Sequence, residues 1–208
     1  MDKEREIVIR RGLPDDANDF SRLVLHTAPK FLLYLFGYRV RRLMAQLFRH
    51  RNNAFSFEYS YFIEVDKKIA GTAIVYDYKQ KKRHGMRTTL LTIRYMGWSA
   101  VRKAQDLLRA GSEVKVGAGE SRLSYIALYP RFRGLGLGRR LLERIEEDVR
   151  KRGTGRIVLR TDVDNSKAIS LYKKCGYEIQ RKLPPLKVKR RDFHFFAISK
   201  EIGGMGAL

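Results

Sequence analysis

Apolar residues recur along this chain with two different periods, and their succession predicts alternating strands and helices. The β-branched run Ile7-Val8-Ile9 predicts a first strand over 6–10. Gly12-Leu13-Pro14 punctuates it, and Asp15, Asp16 and Asp19 supply helix-start chemistry. From Phe20 to Leu47 the spacing is helical, with breaks near Pro29 and Gly37. Val40, Leu43, Met44, Leu47 and Phe48 recur on one face of its second half, with Arg39, Arg41, Arg42 and Arg49 outside. Such a stripe is either core or the wall of a substrate pocket. Two strand-like runs, 56–65 and 69–78, joined by Asp66-Lys67-Lys68, predict an antiparallel hairpin. A basic loop from Lys79 to His84 follows. Residues 88–110 read as one helix or two, interrupted near Gly97, and 111–120 as a glycine-rich loop.

The second half has a simpler order. An apolar strand, 123–128, ends at Tyr129-Pro130, and 131–139 carries alternating glycines straight into a helix. Leu141, Leu142, Ile145 and Val149 share one face of that helix, and Gly153 and Gly155 close it. Ile157-Val158-Leu159 has the unbroken apolar character of a buried parallel strand. Asp164-Asn165-Ser166 caps a further helix with Ala168, Leu171, Tyr172 and Cys175 on one face, and Gly176 ends it. Strands over 177–181 and 193–199 flank a basic loop containing Pro184-Pro185. Strand, glycine loop, helix, strand, helix, strand predicts an α/β fold with a mixed sheet. The crossover rule makes the first two of these strands parallel neighbours.

Composition narrows the class. With 208 residues, 44% hydrophobic and 32% charged, the chain reads as one globular domain. Its core is expected over about 5–200, with a helical insertion at 79–118 and a flexible tail at 203–208. The longest apolar run, 31–36, is far below the roughly 20 residues of a membrane span. The charged N-terminus has no signal-peptide core, so a cytoplasmic location is expected. One cysteine and four histidines without ligand spacing lead to no expected metal or disulfide framework. A formal net charge of +22 attracts polyanions: nucleic acid, the ribosome, anionic membranes or phosphate-rich cofactors. Charge alone does not choose among them. The apolar insertion also permits a homodimer.

The chemistry concentrates in the glycine loop. Glycines between a strand and a helix let the backbone approach a ligand and turn several N–H groups toward one anion. The helix start adds the positive end of its dipole, and Arg131, Arg133, Arg139 and Arg140 surround the site. A pyrophosphate fits. The third glycine comes one residue too early for a dinucleotide-binding fingerprint. No Gly-Lys-Ser/Thr follows for a nucleotide-triphosphate loop, and the kinase signatures are absent.

The loop resembles the GNAT superfamily of acetyl-CoA-dependent N-acetyltransferases. Arg133-x-x-Gly136-x-Gly138 matches its Q/R-x-x-G-x-G/A fingerprint, and Tyr125 to Pro130 its preceding strand. Asn165-x-x-Ala168-x-x-x-Tyr172-x-x-x-Gly176-Tyr177 is similar to its second cofactor segment. The resemblance is motif-specific over 122–178 and weaker elsewhere. It implies a splayed mixed sheet flanked by helices, with pantetheine entering between the strands of Ile126, Ala127 and Leu128 and of 157–159. It further implies a cradle for pyrophosphate at Arg133, Gly134, Leu135, Gly136, Leu137, Gly138 and Arg139, a pantetheine contact at Asn165, and a general acid at Tyr172. Asn165 as a plain helix cap and Tyr172 as a core aromatic are the structural alternatives. Cys175 reads as a structural thiol.

Transfer to nitrogen needs a neutral amine. At pH 7 a lysine side chain is only about 0.04% neutral, an α-amino group roughly 10 to 20%. A positive site favours the neutral form and repels polyamines, so the acceptor is expected to be a primary amine: a protein N-terminus or a small molecule. Glu58 and Glu64 on the hairpin, and Glu120, are base candidates, with His84 a further one in the basic loop. The competing expectation is a catalytically silent, basic module of the same fold that binds RNA or the ribosome. It rests on the clusters 79–87 and 181–191.

Overall fold

Strands whose successive residues bury opposite faces build a sheet with a core on each side. The structure, a computed structural model, describes residues 5–27, 29–97, 116–188 and 191–203. The predicted helix beyond Gly97, with Trp98, and the tail from Gly204 lie outside them. Among the described residues the strands are β1 (Ile7–Arg11), β2 (Ser60–Val65), β3 (Lys68–Asp77), β4 (Glu120–Leu128), β5 (Arg156–Asp162), β6 (Glu178–Lys182), β7 (Leu186–Val188), β8 (Arg191–Phe193) and β9 (Phe195–Glu201). The helices are α1 (Ala17–Leu25), α2 (Pro29–Phe36), α3 (Val40–Arg49), α4 (Tyr78–Met96), α5 (Leu137–Lys151) and α6 (Ser166–Lys174). Seven strands form one mixed sheet in the order β1-β2-β3-β4-β5-β9-β6, and β7 and β8 form a separate hairpin.

The predicted parallel pair, β4 and β5, is present, but it is short. Their register runs only from Glu120 opposite Arg156 to Leu123 opposite Leu159. Beyond that point β4 stays with β3 as far as Leu128 opposite Gly71, and β5 stays with β9 as far as Asp162 opposite Phe195. The sheet therefore splays in its middle. At the point of divergence the β3–β4 register slips: Ile74 faces Tyr125 whereas Val75 faces Leu123, leaving Ser124 as the extra residue of a bulge. A bulge bends its strand and increases the local twist, which carries the end of β4 away from β5.

Helices α1 to α4 pack on one face, where Phe20, Leu47 and Phe48 meet Phe62, Ile74 and Val158. Phe48 stacks on Phe20 at 4.3 Å between centroids and meets Phe62 edge-on at 6.0 Å. The stripe on α3 is thus core, each large side chain contributing about 1.5–3 kcal/mol by leaving water. On the other face, Leu141, Leu142, Ile145 and Val149 of α5 cover Ile63, Val75, Leu123 and Ile157.

Three expectations are revised. Residues 57–59 form a 3₁₀ turn instead of the start of β2, because the Ser56 hydroxyl accepts the Glu58 N–H at 3.2 Å. The supposed basic loop, 79–84, is the beginning of α4. Asp77 Oδ1 accepts the Gln80 N–H at 2.8 Å, and Gln80 Oε1 accepts the Asp77 N–H at 3.0 Å, a reciprocal cap that starts a helix. The basic loop before β9 contains the β7–β8 hairpin, whose Phe193 packs edge-on against Phe31 of α2 at 5.2 Å. No helix among the described residues is long and apolar enough to cross a membrane.

Candidate active site

The end of β4 and the start of α5 are joined by a turn that only glycine accommodates without strain. Gly134 has φ +82° and Gly136 φ +72°, both in the left-handed region, and the space beside each is open. Gly136 is the N-cap of α5, whose first-turn amides have no partner within the helix. Gly138 is buried, and a Cβ there would lie 3.0 Å from Leu171 Cδ2, so the start of α5 rests closely on α6. The result is an open backbone concavity at the positive end of a helix. The turn is fixed from behind: the Tyr129 N–H donates to the Ala70 carbonyl at 2.9 Å, and its hydroxyl to Asp19 Oδ1 at 2.5 Å.

A cleft of about 920 Å³ begins at this concavity, passes through the gap between β4 and β5, and continues on the sheet face covered by α1 to α4. Ile126, Ala127, Leu128, Arg133, Gly134, Gly136, Leu137, Gly138 and Arg139 line it from one side, and Asn165 and Tyr172 from the other. The fold thus brings together eleven of the cofactor residues named from the sequence. Leu135 is the exception: it points outward and is exposed.

Backbone direction inside the gap follows from strand alternation. The Tyr129 N–H faces β3, and the Ala127 carbonyl lies toward Gly71 on the same side. The intervening residues, Ile126 and Leu128, therefore direct their backbone groups toward the opened side, where β5 no longer pairs. Arg133 Nε reaches back to the Leu128 carbonyl at 3.3 Å. Arg139 holds Glu143 at 2.7 Å on the outer rim.

Asn165 caps α6: its Oδ1 accepts the Ala168 N–H at 3.2 Å, so the side-chain NH₂ is what it can offer to a ligand. Tyr172 is 5% exposed, beside the ring of Tyr177 at 5.8 Å. Burial alone pushes its phenol well above the ordinary range, so it stays protonated as a donor.

The glutamates named as bases lie elsewhere. Glu58 accepts bonds from Arg51 (3.0 Å), the Asn52 N–H (2.8 Å) and the Ser56 hydroxyl (3.1 Å) in the turn before β2. Glu120 sits at the closed root of β4, held by Arg156 at 3.3 Å and the Gly117 N–H at 2.7 Å. Glu64 binds Arg10 at 2.8 Å. None of the three lines the cleft.

His84 does line it. The imidazole is 3% exposed, 4.5 Å from the Tyr59 ring and 5.1 Å from the Tyr76 ring, and neither ring nitrogen has a hydrogen-bond partner. Burial pulls its pKa down to about 4, against the opposing pull of Asp77 and Glu58. Between that value and the ordinary 6.5 the unfolded chain holds a proton that the native imidazole does not. Stability from this residue is therefore complete above about pH 6.5 and is lost as the pH falls toward 4. The difference between the two values corresponds to on the order of 3 kcal/mol. Urea unfolding at pH 7.5 and 4.5 should show this loss in the wild type and its absence in His84→Leu, the other histidines contributing equally to both proteins. An equal acid-side loss in both would show that His84 does not carry it.

Among the described residues no group of three or more His, Cys, Asp or Glu could hold a metal ion.

Comparison with known proteins agrees with this geometry. The model of the acetyltransferase (GNAT) family matches residues 33–177. An IAA acetyltransferase of Azospirillum brasilense is 37% identical over 76 residues, which is 33% of this chain and 50% of that protein. The chain spans no more than half the length of the curated relatives it matches. A crystal structure of an acetyltransferase superposes with a TM-score of 0.67 at 21% identity, covering 94% of this chain and 99% of that one. The protein yncA of Salmonella typhimurium, solved with its cofactor acetyl-CoA, gives a TM-score of 0.55 at 18% identity, with 97% of this chain and 96% of that one covered. These two share the fold. Splayed strands, a glycine turn at a helix start and a family match over more than half its length place the chain in the GNAT acetyltransferase family.

Proposed function

We propose that the protein is an N-acetyltransferase that moves an acetyl group from acetyl-CoA to a primary amine by direct attack in a ternary complex. The observation that carries this is the continuous cleft: the glycine cradle opens into the gap beside Ile126 and Leu128, and the same cleft continues to the opposite face. Bound acetyl-CoA supplies an activated thioester carbonyl. The backbone from Arg133 to Arg139 and the first turn of α5 hold its pyrophosphate. Ile126 and Leu128 offer main-chain groups to the pantetheine arm and an N–H to polarise the carbonyl. Asn165 steadies that arm through its NH₂. Tyr172 holds the proton that the departing sulfur needs.

On the acceptor side, burial and the positive field favour a neutral amine, an α-amino group or small amine over a polyamine. Neither Glu58 nor Glu120 lines the cleft, so we infer that any help from them comes through water or not at all. The test is CoA thiol release at physiological salt with α-amino peptides, lysine peptides, polyamines and monoamines. We expect turnover with α-amino peptides or monoamines and little with polyamines. Lack of acetyl-CoA binding in calorimetry would overturn the enzyme reading.

A further inference from the structure

Beyond the gap, the cleft ends in a chamber that acetyl transfer as such does not require. Phe31, Phe55, Tyr76, Tyr125 and Phe195 wall it with aromatic rings. Phe55 lies 5.6 Å from Tyr125, and the Arg160 guanidinium sits 4.2 Å over Phe195. At the inner end is His84, presented from the second turn of α4 against Tyr59 and Tyr76. A neutral imidazole offers one N–H donor and one lone pair, and here both nitrogens are buried without a hydrogen-bond partner. Buried polar groups are normally satisfied, and leaving them unmet is costly. A ligand that meets one regains that cost on binding.

Strand register sets the scale. Ile126 pairs with Ala73, and Tyr76, the ring beside His84, is three residues further along β3. At ~3.3 Å per residue that is about 10 Å. It matches the length of a two-carbon arm, a phenyl ring and one hydrogen bond. The Tyr125 ring, with Phe55 packed on it, lies in the same chamber and offers a flat body a surface to stack on. Asp162, at the outer end of β5, is the one carboxylate among the described residues lining the cleft. At the inner end the nearest carboxylates, Asp77 and Glu58, act on His84 from behind the lining and do not face the cleft, so a hydroxyl or amide there meets the imidazole and not a carboxylate.

We propose that His84 is the acceptor-recognition residue of this cleft. The acceptor is a primary amine on a flat apolar body whose far end carries a neutral hydroxyl or amide that hydrogen-bonds the imidazole. This rests on the acetyl-transfer reading above and names its substrate class.

Tyramine and phenethylamine, which differ by one hydroxyl, test it. The wild type should favour tyramine in kcat/KM by at least about tenfold. The same order should appear in calorimetry of the two amines with the CoA-loaded protein. His84→Leu fills the space without polar atoms: the preference should collapse to near unity, with the Kd for acetyl-CoA unchanged and the Tm not lowered. His84→Gln, which keeps a donor and an acceptor, should recover part of the preference. Equal use of the two amines by the wild type overturns the proposal, as does a preference that survives in His84→Leu. If neither amine is acetylated while an α-amino peptide or another monoamine is, the substrate class falls and acetyl transfer stands. If acetyl-CoA does not bind, both fall.

Discussion

Tyr172→Phe should lower kcat about 100- to 10,000-fold, the range expected when a positioned proton donor is removed, while leaving the Kd for acetyl-CoA within a few-fold. The substitution deletes one oxygen from a ring that is 5% exposed and packed between α6 and the sheet, so the Tm should stay within a degree or two. In the proposed reaction, what disappears is the proton for the departing sulfur. Because burial raises the phenol above its ordinary pKa, turnover by the wild type should show no alkaline fall from this group below about pH 10. Steady-state kinetics with calorimetry of acetyl-CoA binding checks both halves. A mutant that turns over normally would assign the sulfur's proton to solvent and return Tyr172 to the core.

The other large effect concerns a glycine outside the loop. Gly71 of β3 lies opposite Leu128, and a Cβ there would sit 2.3 Å from Leu128 Cδ2 and 2.6 Å from the Ala127 carbonyl oxygen. A leucine side chain can swing aside; a strand carbonyl cannot move without moving the strand. Gly71→Ala should therefore destabilise by about 2–4 kcal/mol through overpacking. Acetyl-CoA affinity should fall by at least about tenfold, because the displaced segment is the one presenting Ile126 and Leu128. Gly85→Ala is the contrast. It sits inside α4 with nothing within 4 Å of the added carbon, and should gain about 0.5–1 kcal/mol. Denaturant melts of the pair distinguish crowding from a general intolerance of substitution.

The two halves of the cleft differ in how well they can be read without coordinates. A pyrophosphate is held by backbone, and backbone geometry is encoded locally: Gly134, Gly136 and Gly138 stand within five residues, and the helix follows at once. The aromatic chamber is assembled from α2, the segment before β2, β3, α4, β4 and β9, and each supplies one or two side chains with no spacing between them to recognise. The helical setting of His84, a residue the sequence offers only as a base candidate in a loop, is hidden by its neighbours. Lys79 and the run Lys81-Lys82-Arg83 look like a solvated loop, although Asp77 and Gln80, three residues apart, already carry the helix-starting cap. The position of Glu58 is set by a similar local cap: Ser56 turns the chain into a 3₁₀ step, so Glu58 precedes β2 instead of lying on the hairpin with Glu64. The bulge at Ser124 has no local signature either, yet it opens the sheet.

That opening also has a kinetic meaning. Glycine cradle and aromatic chamber lie on opposite faces of the sheet and, among the described residues, are connected through the gap. In the proposed reaction the two reactants would therefore come to the gap from opposite faces. If each face has its own opening to solvent, neither reactant has to leave before the other can enter, and initial-velocity patterns would show random order of addition. A strictly ordered pattern would show that the two share one way in.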